Sequence, residues 1–474
     1  MAGHVRTPVA MMAGRWLVSA GVLGLALWLV FYRLGDGSLY NWDEAIYAQA
    51  AKEVLRSQTW GTLHWNGSPF FHKPPLYIWL TALTFKLLGV SEFAARLWSA
   101  VFGWGVIVLT FVLGVRFRSW AVGAAAALLL LTVDRAYYSQ WWNFLSLARV
   151  GVLDTALTFC IMLALLLAWM AERRTWLIAW IGLPVGLAVM TKAWPGLLAG
   201  VIPVGYWLLS RKGRAAEMGW WMVAGVGAAV VMLPWHLWQY WVHGQLFLGE
   251  YVSVNLVGRL FHTVEEHHGD PLFYLGVLQQ GFPLWGYLWP LAFGWAVWQA
   301  YQQRDRRACM LLCWITVPLL LFSMAQTKLG WYINMVYPAI ALLVGLALAE
   351  LLTDKVTLGI VAAVMLACCI RLPAAPEGSA GVKPFAPHAA QYVDPTDTVS
   401  VVEPTCATRM PSLDAAVLLF YLNRRLTCLD ERDILAGRVL AHAYAIIDQA
   451  SWARFSHLGR IVFAEDGYIL ARWN

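Results

Sequence analysis

What most constrains this chain is a succession of apolar runs too long for the core of a soluble domain. "WLVSAGVLGLALWLVFY" (16–32) and "PAIALLVGLALAELL" (338–352) approach the roughly 20 residues a helix needs to cross a bilayer. Hydrocarbon offers the backbone no hydrogen-bond partners, so such runs must close their own as helices. The chain is 60% hydrophobic and 13% charged, against roughly 45–50% and 25% in soluble domains. These features predict a polytopic α-helical membrane protein.

The net charge of +7 gives no reason to invoke nucleic acid, because much of it sits in short turns between apolar runs: "RFR" (116–118), "ERR" (172–174), "RKGR" (211–214) and "RDRR" (304–307). Such clusters mark cytoplasmic loops. Placing them inside gives about eleven spans, near 16–33, 93–115, 119–137, 149–171, 175–191, 194–210, 219–241, 282–301, 308–326, 331–352 and 355–372. The apolar stretch 74–89 starts with two prolines and carries Lys86. A crossing there would invert every basic turn, so it is expected to lie in the interface. The N-terminal run is too long, and lacks the small-residue cleavage site, for a removed signal; it reads as a signal-anchor.

From Pro373 the character changes. "LPAAPEGSAGVKPFAPHAAQ" reads as a linker. "TVSVVEP", "AYAIID" and "RIVFAEDGYILARW" then read as strands, and "SLDAAVLLFYLNRR" as a helix. The expected organisation is a membrane domain (1–372) with a prominent first outer loop (34–92), followed by a small extracytoplasmic α/β domain (373–474). Cys406 and Cys428 lie in that tail and can pair if it is exported. No paired CxxC metal spacing occurs, and no internal repeat is visible.

The first outer loop gathers unusual ionisable chemistry. After Asn41 an apolar face (Ile46, Tyr47, Ala50, Ala51, Val54, Leu55) opposes a polar one (Gln49, Lys52, Glu53, Arg56), the pattern of a helix lying on the membrane surface. Asp43 and Glu44 stand at its start. They read either as caps complementing the helix dipole or as a carboxylate base facing the bilayer surface. In "FHKPPLYIW" two prolines fix the backbone around Lys73, which is either a snorkelling cation or a site residue. His72 could bind a divalent metal with His267 or His268 of "EEHHGD", or simply hydrogen-bond locally.

The topology brings further charges to the same face: Arg149 and Asp154 of "SLARVGVLDTALTF", Lys192 of "VMTKAWPG", Arg259 of "NLVGRLFH" and Lys328 of "TKLGWYINM". Each has a bland reading, such as a buried Arg149–Asp154 pair, an anchoring lysine or a solvated loop arginine. Their convergence is a functional-site signal by default. Cations there suit a phosphate, and a neighbouring carboxylate suits deprotonating an acceptor.

"DEAIYA" (43–48) and "HKPPLYIW" (72–79) resemble the first-outer-loop motifs of the C-type-fold lipid-linked-sugar glycosyltransferases, which include protein O-mannosyltransferases and bacterial aminoarabinose transferases of lipid A. The resemblance continues through "RVGVLDTAL", "TKAWPGLLAGVIPV", "NLVGRLF", "HHGDPLFYL" and "TKLGWYINMVYPAIALL". It implies about 11–13 transmembrane helices and inverting transfer of a sugar from a polyprenyl phosphate to a lipid, glycan or protein acceptor on the outer face. By position it makes Asp43 the base, with Glu44 beside it, and Asp154 a second pocket carboxylate. It sets Lys73, Lys192, Arg259 and Lys328 around the donor phosphate, with Tyr47 and Tyr332 in the donor-binding site. His72 stands where the aminoarabinose branch often has an acid. No cofactor is called for beyond a possible divalent metal. The alternatives are an oligosaccharyltransferase, against which the absence of a W-W-D-Y-G-like motif speaks, and a transporter, which would favour internal repeats and midplane sites.

Overall fold

The computed structural model describes residues 9–132, 143–210, 214–258, 261, 269–281, 287–353, 355–356, 359, 362–363, 376–403, 414–437 and 443–474. The chain enters through α1 (Val9–Phe31), then forms α2 (Asp43–Ser57), a two-strand hairpin β1 (His64–Trp65) and β2 (Ser68–Pro69), and α3 (Leu76–Leu88). A helical bundle follows: α4 (Glu92–Phe117), α5 (Trp120–Leu129), α6 (Phe144–Ala148), α7 (Asp154–Ala171), α8 (Gly182–Lys192), α9 (Leu198–Ser210) and α10 (Met218–His243). It continues with α11 (Phe273–Gly281), α12 (Trp289–Gln302), α13 (Arg306–Met324) and α14 (Tyr337–Leu351). Among the described residues, six helical stretches are long and apolar enough to cross a membrane. Shorter apolar helices lie at 15–31, 76–88, 120–129 and 194–210. Most of the expected span 355–372 falls outside the described residues.

Burial separates bundle centre from bundle edge. In the most apolar 18-residue window of Gly330–Leu351, 89% is buried, against 11% in that of Ala215–His243, which turns Met222, Val226, Val230, Leu237 and Trp241 outward, as a lipid-facing helix does. Close helix contact uses small residues: a Cβ on Gly182 would come within 2.1 Å of the Ala224 carbonyl oxygen, and one on Gly186 within 2.5 Å of Val231. Gly182 and Gly186 form the small-xxx-small pattern that lets two helix backbones approach.

The bundle has two chemically different ends. At one, Arg118 pairs with Glu350, Arg306 with Glu172, and Arg307 with Asp305. These contacts gather the ends of α4, α7 and α14 and the start of α13. At the other end sits the C-terminal unit, built from α15 (Val382–Ala389), β3 (Thr398–Glu403), α16 (Ala415–Leu422), β4 (Arg425–Asp430), α17 (Glu431–Leu435), β5 (Tyr444–Asp448), β6 (Gly459–Glu465) and β7 (Tyr468–Trp473). Its five strands run in the order β4-β3-β5-β7-β6. β3 is parallel to β4 and β5, while β7 is antiparallel to β5 and β6. The tight β6–β7 turn uses Asp466 and Gly467 at φ +48° and +86°, as right-handed strand twist favours.

Three predicted strand segments appear as β3, β5 and the β6–β7 hairpin. β4 was not anticipated, because "RLTCLD" continues a helical pattern in sequence; the helix instead stops at Leu422, followed by Asn423 at φ +62°. Cys428 of β4 is held in a disulfide, and Cys406 lies outside the described residues.

The first loop and the C-terminal unit share one apolar core. Leu39, Ala45, Ile46, Tyr77 and Ile78 pack with Val382, Phe385, Val399, Leu418 and Leu470. Hydrogen bonds stitch the same seam: Ser38 Oγ donates to Glu377 at 2.7 Å, Lys52 Nζ to the Phe420 carbonyl at 2.5 Å, and Tyr421 Oη to Glu92 at 2.9 Å. The segment 34–92 thus packs against the C-terminal unit at both of its ends. α3 turns Leu83, Leu87 and Leu88 outward.

Candidate functional site

Two adjacent acids open α2 and have opposite fates. Glu44 turns inward and is fully buried in an ion pair with Arg96, whose Nε and Nη2 lie 2.8 and 3.2 Å from its two oxygens. The same carboxylate accepts the backbone N–H of Tyr40 and of Gly151, each at 2.7 Å. Arg96 spends its remaining donors on the carbonyls of Leu34 and Ser38 at 3.0 and 2.6 Å. A buried pair is tolerated when both partners are satisfied in this way. One ion pair thus fixes the loop entrance, the start of α2 and the turn before α7. Gly151 is required there, because a Cβ would lie 2.9 Å from the Ala95 carbonyl oxygen.

Asp43, one residue earlier, is half-buried, and its carboxylate makes no hydrogen bond or ion pair among the described residues. The expected cap is displaced: Glu44 reaches back to Tyr40, and Trp42 provides no side-chain cap. Trp42 is held at φ +66°, ψ −127°, a conformation glycine adopts readily and other residues adopt at a cost. Such backbone strain concentrates at functional sites.

A second cluster gathers residues far apart in sequence. Asp154 is the first residue of α7 and Lys192 the last of α8, so each charge complements its helix dipole. Lys192 Nζ donates to Asp154 Oδ1 at 2.7 Å and lies 5.3 Å from the centroid of the Tyr332 ring. All three residues are at most 9% exposed. The Tyr332 ring packs on Phe322, and Phe322 on Trp194, which gives the lysine an aromatic surround. Next to Lys192, Ala193 sits at φ +46°, ψ −131°, the second strained non-glycine beside a site residue. Asp154 pairs with Lys192 rather than Arg149, whose guanidinium donates to the Tyr32 carbonyl. Unlike Glu44, Asp154 keeps one oxygen without a hydrogen bond among the described residues.

Lys328 follows the end of α13 and donates to the carbonyls of Phe322, Ser323 and Ala325, at 3.3, 2.7 and 2.5 Å. It caps a helix C-terminus, where orphan carbonyls favour a cation. Burial lowers its pKa below the ordinary lysine value, opposed by the charge of Asp270. The 269–270 segment approaches closely, a Cβ on Gly269 being 3.3 Å from Lys328 Cγ.

Lys73 and His72 lie half-buried in the turn before α3, with the His72 ring 5.2 Å from that of Phe70. Tyr47 is buried in the core, its ring 6.4 Å from Tyr77. Arg259, His267 and His268 lie outside the described residues, and with them the expected metal partners of His72. Among the described residues, no three His, Cys, Asp or Glu side chains form a metal-binding group. Sequence reading missed Arg96, the organiser of the first cluster. The available signal was a lone arginine inside an apolar span.

This geometry stands in a known architecture. Residues 72–238 match the family model described as dolichyl-phosphate-mannose-protein mannosyltransferase. An undecaprenyl phosphate-alpha-4-amino-4-deoxy-L-arabinose arabinosyl transferase of Sodalis glossinidius is 32% identical over 371 residues, covering 73% of this chain and 61% of that protein. The crystal structure of ArnT from Cupriavidus metallidurans bound to undecaprenyl phosphate superposes with a TM-score of 0.77 at 20% identity, covering 96% of this chain and 98% of that one. The chain has the C-type glycosyltransferase fold and is related to these lipid-linked-sugar transferases. The archaeal oligosaccharyltransferase AglB of Archaeoglobus fulgidus shares the architecture more distantly, with a TM-score of 0.62, 12% identity, and coverage of 91% of this chain and 69% of that one. The chain spans about three fifths of the length of the curated relatives it matches, 62% and 61% for the first two.

Proposed function

We propose that this protein transfers a sugar from a polyprenyl phosphate to a lipid, glycan or protein acceptor, with inversion, at the membrane face that carries the C-terminal unit. The observation that supports this best is the buried Asp154–Lys192–Tyr332 cluster, assembled from residues 178 positions apart at the end of the bundle where Asp43 also lies. The likeness to a fold known with undecaprenyl phosphate bound points the same way. The opposite end carries the arginine-rich turns, which favour the cytoplasm. The C-terminal unit then faces the periplasm or cell exterior, where the Cys428 disulfide is at home.

In this reading, Lys192 holds the donor phosphate through ammonium protons not used by Asp154, and Lys73, Lys328 and Arg259 surround the same phosphate. Lys328 exchanges a helix-end carbonyl for a phosphate oxygen. Asp43 takes the proton of the acceptor hydroxyl as its oxygen bonds to the anomeric carbon. The bond from that carbon to the phosphate oxygen breaks, and the electron pair leaves with the polyprenyl phosphate. Negative charge develops on a phosphate already facing cations, so no protonating acid is needed. Asp154 aims Lys192, and Glu44 positions Asp43 without touching substrate. The aromatic surround of Lys192 suits the apolar face of a sugar or the first isoprene units.

The test is transfer of labelled sugar from a polyprenyl-phosphate donor by the purified protein, run beside lipid uptake into vesicles that contain the protein, with protein-free vesicles as the blank. Transfer supports the enzyme; uptake without transfer supports a transporter instead.

A further inference from the structure

A cavity of about 540 Å³ opens at the end of the bundle opposite the C-terminal unit, where α4 and α7 finish and the 3-10 helix Thr175–Ile181 begins. Small-molecule sites typically measure about 300–1,000 Å³. Arg116 lines it from the last turn of α4, and Arg173 and Arg174 from the turn after α7. Trp169 and Leu177 supply apolar wall. The Trp169 ring is held edge-on by Phe117, with the centroids 4.8 Å apart.

The arginines at this end divide into two sets. Arg118, Arg306 and Arg307 are paired with Glu350, Glu172 and Asp305. Arg116, Arg173 and Arg174 are exposed, and their side chains make no ion pair or hydrogen bond among the described residues. Glu172 also lines the cavity, but its charge is already met: Arg306 donates to Oε2 at 2.9 Å and the Tyr206 hydroxyl donates to Oε1. Three unneutralised guanidiniums thus surround one hollow. Positive turns are enough to orient a membrane protein, but orientation requires neither a cavity between them nor an indole wall. Guanidiniums are the donors best matched to a phosphate, which they grip with two N–H groups at a time.

The surface beside the cavity indicates what carries that phosphate. Trp176, Trp180 and Leu183 continue the helical run from the cavity wall and are exposed, in a stretch apolar enough to cross a membrane. Indoles so placed favour the headgroup level of a bilayer. A soluble anion would use the guanidiniums alone, whereas a lipid would use both surfaces. Basic pockets between transmembrane helices on the cytoplasmic side suit anionic headgroups. We infer that this cavity binds the headgroup phosphate of an anionic glycerophospholipid of the cytoplasmic leaflet, with its acyl chains along Trp176, Trp180 and Leu183. Binding there needs the arginine turns to face the cytoplasm, and it is independent of the catalytic roles given to Asp43, Asp154 and Lys192.

The experiment titrates phosphatidylglycerol and phosphatidylcholine of equal chain length into the full-length protein in neutral detergent micelles, with bound lipid counted by native mass spectrometry. One phosphatidylglycerol should bind about tenfold more tightly than phosphatidylcholine, whose own ammonium offsets its phosphate. Arg116→Gln/Arg174→Gln should weaken phosphatidylglycerol by roughly tenfold. Arg304→Gln/Lys355→Gln removes two exposed charges from the same end but outside the cavity, and should leave the affinity within about twofold. Equal affinity for the two lipids in wild type, a comparison that needs no variant, would overturn the inference. So would equal loss in the two double variants, or displacement of bound phosphatidylglycerol by inorganic phosphate, which would make the site one for soluble anions. Displacement by a polyprenyl phosphate would overturn it too, by assigning the cavity to the transfer donor.

Discussion

Two buried carboxylate–cation pairs lie at the same end of this bundle, and they are built for different ends. Glu44–Arg96 is sealed: neither side chain is exposed, both carboxylate oxygens are used, and Arg96 also holds loop carbonyls. Asp154–Lys192 has, among the described residues, a single side-chain hydrogen bond, with the Tyr332 ring and a strained alanine beside it and spare capacity on both partners. A pair with every valence satisfied organises structure. One with donors and acceptors left over can take up a substrate. Two acids that both read as catalytic in sequence thus divide: Glu44 holds the frame, and we propose that Asp154 serves the transfer site.

The sharpest break of the first pair is Arg96→Met. It leaves Glu44 buried without a countercharge, which typically costs about 3–5 kcal/mol. Thermal unfolding should show a severe loss of folded protein, and adding Glu44→Gln should recover part of it. A mild effect of Arg96→Met would mean that the pair is not the organiser described here.

The second pair should respond in function before stability. Asp154→Asn removes the charged partner that aims Lys192, and transfer should fall by about 10²-fold or more. Its melting temperature should move far less than that of Arg96→Met. The reverse ranking would equate the two pairs and remove the distinction. Lys192→Gln is expected to weaken polyprenyl-phosphate binding by roughly ten- to hundredfold, the scale of one charge-assisted hydrogen bond. Equal donor affinity in wild type and variant would take the lysine out of the phosphate site.

The smallest effect concerns the seam between the two units. Lys52 donates to the Phe420 carbonyl and lies 4.5 Å from the Phe420 ring centroid, and burial lowers its pKa from 10.5 to about 8. Between those values the unfolded chain binds more protons at this lysine, so its contribution to stability rises with pH across the window and is flat below it. Relative to Lys52→Met, the wild-type melting temperature should gain on the order of 1–3 °C between pH 7.5 and 9.5. An identical pH response in both proteins would place the titration elsewhere.

Much of this was legible in sequence, for physical reasons. Apolar runs and basic turns specify a helical membrane protein because lipid enforces helices and charge sorts their ends. The proline pair in "HKPPLYIW" and the amphipathic repeat after Asn41 marked a loop that stays on one face. The partners of the charges were not legible. A pair with Arg149, five residues earlier, was one bland reading of Asp154; its partner is Lys192, 38 residues later, because α7 and α8 pack side by side. Nothing local to Glu44 announces Arg96, 52 residues away. The strand at β4 was hidden by helix-like periodicity that Asn423 interrupts.

Centrally, we propose that the Asp43 carboxylate, held at a helix start beside the sealed Glu44 and without a hydrogen bond or ion pair among the described residues, activates the acceptor. The most direct test measures donor binding and sugar transfer together, in wild type and Asp43→Asn, in one nanodisc preparation. Donor affinity should stay within about twofold, because the Asp43 carboxylate makes no hydrogen bond or ion pair among the described residues. Transfer should drop by roughly 10²–10⁴-fold, the scale of general-base removal. Full turnover in Asp43→Asn, with the donor bound as tightly as in wild type, would contradict the account.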